Sequence, residues 1–212
     1  MPDKSELAPL APNEVLQLLR DSDVLMEGHF QLTSGRHSDR FMQTSRVWQH
    51  PERAARLGQA LAGKVLSQLG AAAFRSVMGP AMGGIILGYE VARALRLRAI
   101  YAEKEGDRMV IKRGFQVSPG ERFLVVEDAL TTGGSVLKAI EALQAAGGVP
   151  VAVGVAVDRS RGRLSLGVPM ISLMELGIPS YEPRDCPLCR AGLPLVRPKA
   201  MAAGPEWAGR TE

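Results

Sequence analysis

The chain has 212 residues, 46% hydrophobic and 23% charged, which is enough apolar material for one substantial core and excludes a disordered or fibrous protein. A formal net charge of +4 is scattered along the sequence and aromatic residues make up only 5%, so a nucleic-acid partner is not expected and an anionic small molecule fits better. No apolar run approaches the roughly 20 residues that span a bilayer, and the acidic, proline-containing start MPDKSELAPLAPNE lacks the apolar centre of a signal peptide; the expected location is the cytoplasm, with no membrane partner.

In chain order, Asn13 caps a short amphipathic helix carrying Val15, Leu16, Leu18 and Leu19, expected to act as a lid. HFQLT and RFMQTSRVW then read as two extended segments joined by the polar turn SGRHSD. Pro51 suits a first helical position, and Leu57, Leu61, Val65 and Leu69 recur at helical spacing until Gly70 ends the run. From Ser76 the pattern becomes strand, loop, helix, strand: SVM, GPAMGG, IILGYEVARAL with Ile85, Tyr89, Ala92 and Leu95 as its stripe, then RAIYAE. A second such unit comprises FLVVE, a Thr/Gly loop, a helix with Val136, Ile140 and Leu143 on one face, and the strand VPVAVGVAV. Near-continuous Val/Leu strands are buried on both faces, which predicts an α/β fold with a doubly wound parallel sheet.

Between the units, EKEGDRMVIKRGFQVSPG reads as a projecting hairpin or flap carrying Lys104, Arg108, Lys112 and Arg113. PMISLMEL supplies one more strand. The expected organisation is a single domain over residues 1–212, with a small N-terminal hood from about 1–50 and an irregular tail from about 180–212. Cys186 and Cys189 in that tail are half of a four-ligand zinc site, which His29, His37, His50 or a second chain would have to complete; the preferred reading is a plain reduced knuckle with no metal assigned.

In open parallel sheets, ligands bind beyond the carboxyl ends of the strands. Those ends present the glycine-rich loop of residues 79–84, then Lys104, then Glu127 and Asp128 followed by Thr131, Thr132, Gly133, Gly134 and Ser135, and finally Arg159. Adjacent acids can hold a vicinal diol, directly or through a divalent cation, while backbone amides at a helix start hold a phosphate. A phosphorylated pentose needs both. No G-x-G-x-x-G follows a predicted strand and GPAMGG is not followed by Lys-Ser/Thr, which argues against dinucleotide and Walker-type sites.

The segment VVEDALTTGGS resembles the phosphoribosyl diphosphate signature of the type I phosphoribosyltransferases. GHFQLTSGRHSDRF is similar to the hood of the orotate phosphoribosyltransferases, MGPAMGGI to their diphosphate loop, VAVDR to the strand end whose arginine meets orotate, and CPLCRAGLPLVRP to tails of a bacterial subgroup. The similarity covers residues 25–160 in matching order. It implies the type I fold and transfer of a phosphoribosyl group to orotate with Mg²⁺ as cofactor, by a homodimer with shared active sites. It also implies a donor site at Met82, Gly83, Lys104, Glu127, Asp128, Ala129, Leu130, Thr131, Thr132, Gly133, Gly134 and Ser135, with Lys104 catalytic. Thr131 and Arg159 would bind orotate, and Ser34, Gly35, Arg40 and Phe41 would lie near the base. Two departures stand out: Thr33 replaces a lysine common in the family, and GDRMVIKRGF replaces a longer loop with a further lysine and a histidine. The alternatives are transfer to another nucleobase, or a regulator that senses the donor without catalysis.

Overall fold

The computed structural model describes residues 7–32, 34–160, 162 and 164–198, so Thr33 and the two ends of the chain lie outside the described residues. The chain divides into two compact units: residues 1–24 with 44–177, and residues 25–43 with 178–212.

The larger unit holds helices α1 (Pro12–Asp21), α2 (Pro51–Leu69), α3 (Gly83–Leu95) and α4 (Gly134–Ala145), and strands β3 (Ser76–Pro80), β4 (Arg98–Glu105), β5 (Arg108–Ile111), β6 (Arg122–Leu130), β7 (Val149–Asp158) and β8 (Met170–Glu175). The strands form one six-stranded sheet in the order β5-β4-β3-β6-β7-β8, parallel except at β4–β5. The winding runs outward from β3 to β4 and then, on the other side of β3, from β6 to β8. The reversal therefore lies between β3 and β6, the place in such sheets where ligand crevices open.

Residues 123–128 of β6 are buried throughout. Alternation sends Phe123 and Val125 into a cluster with Val136, Ala139, Ile140 and Leu143 of α4, and leaves Leu124 and Val126 for the opposite face. Helix α2 starts at Pro51 and stops at Gly70, whose φ of 79° favours glycine; Leu57, Leu61 and Val65 are fully buried.

Three local readings need correction. Helix α1 packs against β8 with Val15 and Leu19 buried, so it is part of the sheet's covering and not a lid. The segment expected to continue as strand after Met42 turns into a 3-10 helix at Thr44–Gln49. The buried stripe of α3 is Gly84, Leu87, Gly88, Val91, Ala92 and Leu95, with Tyr89 60% exposed. Counting side chains misses that last face because two glycines lie on it: a Cβ on Gly84 would sit 2.6 Å from the Val126 carbonyl oxygen, so the helix approaches β6 by backbone.

The smaller unit is built on the antiparallel hairpin β1 (Leu25–Gln31) and β2 (His37–Met42). The tail joins it by single pairings of Phe30 with Val196 and His37 with Tyr181, and contains a short helix α5 (Pro187–Arg190). The hairpin of the expected hood and the expected tail thus belong together, through contacts more than 140 residues apart in sequence that no local pattern reports.

Candidate active site

Strand β6 delivers Glu127 and Asp128 to the reversal point. Both carboxylates lie against the start of α3: a Cβ on Gly84 would come within 3.3 Å of Glu127 Oε1, and one on Gly83 would collide with the Asp128 carboxylate. Glu127 Oε1 accepts the Asp128 N–H at 3.1 Å, and Asp128 Oδ1 accepts the Ala129 N–H at 2.7 Å. The Thr44 hydroxyl donates to Asp128 Oδ2. Burial, reinforced by the neighbouring Asp128 carboxylate, pushes the Glu127 carboxyl up to about 9.

Beyond the acids, a pocket of about 170 Å³ is lined by Glu127, Ala129, Thr131, Thr132, Gly133, Gly134, Ser135 and Val136. Gly133 caps α4 with a φ of 74°, and its α-carbon faces Leu164 and Leu166, so a side chain there would be strained and crowded. The N–H groups of Thr131, Thr132 and Gly133 find no acceptor among the described residues. Gly134 and Ser135 are in the first turn of α4, where amides lack intrahelical partners. These amides converge at the positive end of the helix, a cradle suited to a phosphate.

The other expected residues fall as follows. Met82 is 81% exposed immediately before α3, and Gly83 is the first residue of that helix. Leu130 turns its side chain into the core and contributes backbone, its carbonyl accepting the Arg159 N–H at 2.8 Å. That bond sets Arg159 directly beside the end of β6. Its Nε is buried without an acceptor among the described residues, and desolvation lowers the pKa of the guanidinium. Asp128 does not line the pocket but faces Thr44 and the start of α3. Ser34, Gly35, Arg40 and Phe41 belong to the smaller unit.

Lys104 lies near the end of β4, next to β3, opposite Met109 of the flap hairpin. It is exposed and has no ion pair among the described residues. By contrast, Arg113 pairs with Glu103, while Lys112 and Arg108 pair with Glu105. The flap's base is anchored by Tyr101 and Phe115, whose rings meet edge to face at 5.0 Å. Thr44 is the site residue that sequence reasoning missed: 84 residues separate it from Asp128, and nothing local marks it.

Residues 43–167 match the family model of the phosphoribosyl transferase domain. The chain is 45% identical over 185 residues to the orotate phosphoribosyltransferase of Desulforamulus reducens, covering 87% of this chain and 95% of that protein. The chain belongs to the orotate phosphoribosyltransferase family. The family's Thermotoga maritima member is 47% identical over 184 residues, covering 87% of this chain and 96% of its own length. The crystal structure of orotate phosphoribosyltransferase from Aeropyrum pernix superposes with a TM-score of 0.66 at 27% identity, covering 76% of this chain and 93% of that one. The sheet and its helices are therefore the type I phosphoribosyltransferase fold. No helix among the described residues is long and apolar enough to cross a membrane.

Proposed function

We propose that this chain transfers the 5-phosphoribosyl group of phosphoribosyl diphosphate to N1 of orotate, releasing diphosphate and forming orotidine 5′-monophosphate for pyrimidine (UMP) synthesis. The observation that carries this reading is the pocket that a buried carboxylate, Glu127, lines together with residues 131–135, whose first three amides have no acceptor among the described residues. The amides hold the 5′-phosphate, and Glu127 and Asp128 take the ribose hydroxyls. The half-buried Arg159, whose Nε has no acceptor among the described residues, receives the orotate carboxylate, a planar anion that a guanidinium can meet with two parallel hydrogen bonds. A neutral base such as uracil or adenine would leave that group unused.

Breaking the C1–O bond leaves cationic character on the ribose ring, while negative charge builds on the departing diphosphate. The chain's own groups supply positioning and charge for this step. Backbone at Met82 and Gly83 meets the diphosphate, and Lys104, which has no ion pair among the described residues, neutralises it as it leaves, a lysine on a hairpin that can close and reopen. The adjacent Glu127 and Asp128 carboxylates are hard oxygen donors of the kind Mg²⁺ accepts, and the glycines that start α3 pack closely against them. Glu127 and Asp128 would hold the ion by way of the diol they grip. When bound, Mg²⁺ supplies positive charge to the oxygens of the donor substrate. We place the enzyme in the cytoplasm as a homodimer, with Lys104 acting in the partner subunit's active site.

The purified chain, given phosphoribosyl diphosphate and Mg²⁺ with orotate, uracil, adenine or hypoxanthine in turn, should release diphosphate only with orotate. Release with a neutral base would move the assignment to another phosphoribosyltransferase. Donor binding without release for any base would make the chain a sensor.

A further inference from the structure

The smaller unit contains a cluster that the transfer reaction does not use. His29 on β1, His37 on β2, and Cys186 and Cys189 at either end of the first turn of α5 bring four ligand atoms within 4.8 Å of one another. The distances are 3.0 Å from His29 Nε2 to His37 Nδ1, 3.5 Å from Cys186 Sγ to His29 Nε2, 3.7 Å from Cys189 Sγ to His29 Nε2, and 3.3 Å from Cys189 Sγ to His37 Nδ1. We propose that these four side chains form a structural zinc site that fastens the tail to the hairpin.

Four of the six ligand–ligand separations fit the edges of a tetrahedron about one ion. Ion–nitrogen bonds of about 2.0–2.1 Å and ion–sulfur bonds of about 2.3 Å separate the two nitrogens by about 3.4 Å and each nitrogen from a sulfur by about 3.6 Å. The observed nitrogen–sulfur separations bracket that value, and the nitrogens need to part by only a few tenths of an ångström. The ligand chemistry agrees, because two thiolates and two imidazoles in a tetrahedron suit Zn²⁺ and not the oxygen-seeking Mg²⁺. His29 is already oriented for the role. Its Nδ1 faces the Leu193 carbonyl at 2.8 Å, which requires a proton there and leaves the Nε2 lone pair of the neutral ring pointing into the cluster. Four protein ligands close the coordination shell, so the ion has no open position for substrate and its role is structural.

The unit also needs such a fastening. Among its described residues, the only buried hydrophobic side chains are Phe30, Met42 and Cys186, whereas His29 and His37 are 3% and 5% exposed. A unit of this size with so little apolar interior has no adequate core of its own, and a metal commonly takes that place. The ligands come from segments about 150–160 residues apart, so one ion closes contacts that chain entropy would otherwise oppose. The bare pair Cys-X-X-Cys read from the tail is thereby completed by His29 and His37, and not by His50.

The full chain, produced with zinc in the medium and desalted, should carry one zinc per chain by elemental analysis, with Cys186 and Cys189 protected from a thiol reagent until a chelator is added. Replacing zinc by Co²⁺ should give the intense visible bands of a tetrahedral ion with thiolate ligands. Cys189→Ser should bind less than a tenth of the wild-type metal, while His50→Ala should retain it all. Chelation should sharpen proteolytic cutting within residues 178–198. Should Cys189→Ser fail to fold, the thiol and cobalt measurements on the wild type still decide. Metal-free protein with two freely reactive thiols, a Cys186–Cys189 disulfide in the freshly isolated chain, or an octahedral cobalt spectrum would each overturn the proposal.

Discussion

Glu127→Gln should make the ligand-free protein more stable while weakening its hold on the ribose donor, and the stability gain should grow with pH. Glu127 is 7% exposed, and its carboxyl is held up to about 9 against an ordinary value of 4.5. A carboxyl raised in this way binds its proton more tightly folded than unfolded. Its unfavourable contribution is absent below about 4.5 and accumulates as pH rises from there through 9, because the unfolded chain ionises first. Each pH unit in that window costs the wild type at most about 1.4 kcal/mol, so the interval from pH 5.5 to 7.5 costs up to about 3 kcal/mol. Glutamine keeps the shape and the acceptor for the Asp128 N–H but cannot ionise. For a chain of this length, 1 kcal/mol corresponds to roughly 2–4 °C in Tm. The variant's advantage in scanning calorimetry should therefore widen by roughly 5–10 °C over those two pH units, and groups common to both proteins cancel in the difference. An advantage that is flat or shrinks over that interval would refute the buried, protonated carboxyl. The donor KM of the same variant should rise.

Lys104→Ala should lower turnover at least about a hundredfold, the scale of losing one preorganised donor to a developing charge, while the donor's Kd by calorimetry stays within a few-fold; a loss under fivefold would remove Lys104 from the chemistry. Because its side chain makes no ion pair among the described residues, the Tm of that variant should match wild type. Arg159→Ala should raise the orotate KM far more than the donor KM in steady-state kinetics, and equal changes would contradict the assigned contact. Gly84→Ala pushes a methyl to 2.6 Å from the Val126 carbonyl and 2.7 Å from the Pro80 ring. Overpacking of this kind costs about 1–3 kcal/mol, so thermal unfolding should come several degrees earlier, and an unchanged Tm would mean that α3 does not rest on β6 by its glycines.

What the sequence made legible follows from how local each signal is. The apolar run of β6, the acids at its end and the Thr/Gly loop are contiguous, so strand, anion cradle and helix start could be read together, as could the flap hairpin of β4 and β5. The face of α3 was misread because glycine carries no hydrophobicity, although Gly84 and Gly88 make its closest approach to the sheet. Thr44, the pairing of the hairpin with the tail, and the meeting of His29 and His37 with the two cysteines rest on contacts across 84 to about 160 residues. A single sequence contains no periodicity that encodes these. Arg159 was found at a strand end, but that its Nε has no acceptor among the described residues became visible only once its neighbours were in place.

Glu127 and Asp128 do not stand on a surface loop. They are the sixth and seventh residues of an interior strand that pairs with β3 on one side and β7 on the other, and both are buried. Breathing motions that leave the architecture intact have little leverage on them, and any disturbance large enough to displace them has already breached the interior. For this protein the fraction of molecules able to grip the pentose and the fraction that is folded should be the same quantity, and heat should extinguish both together.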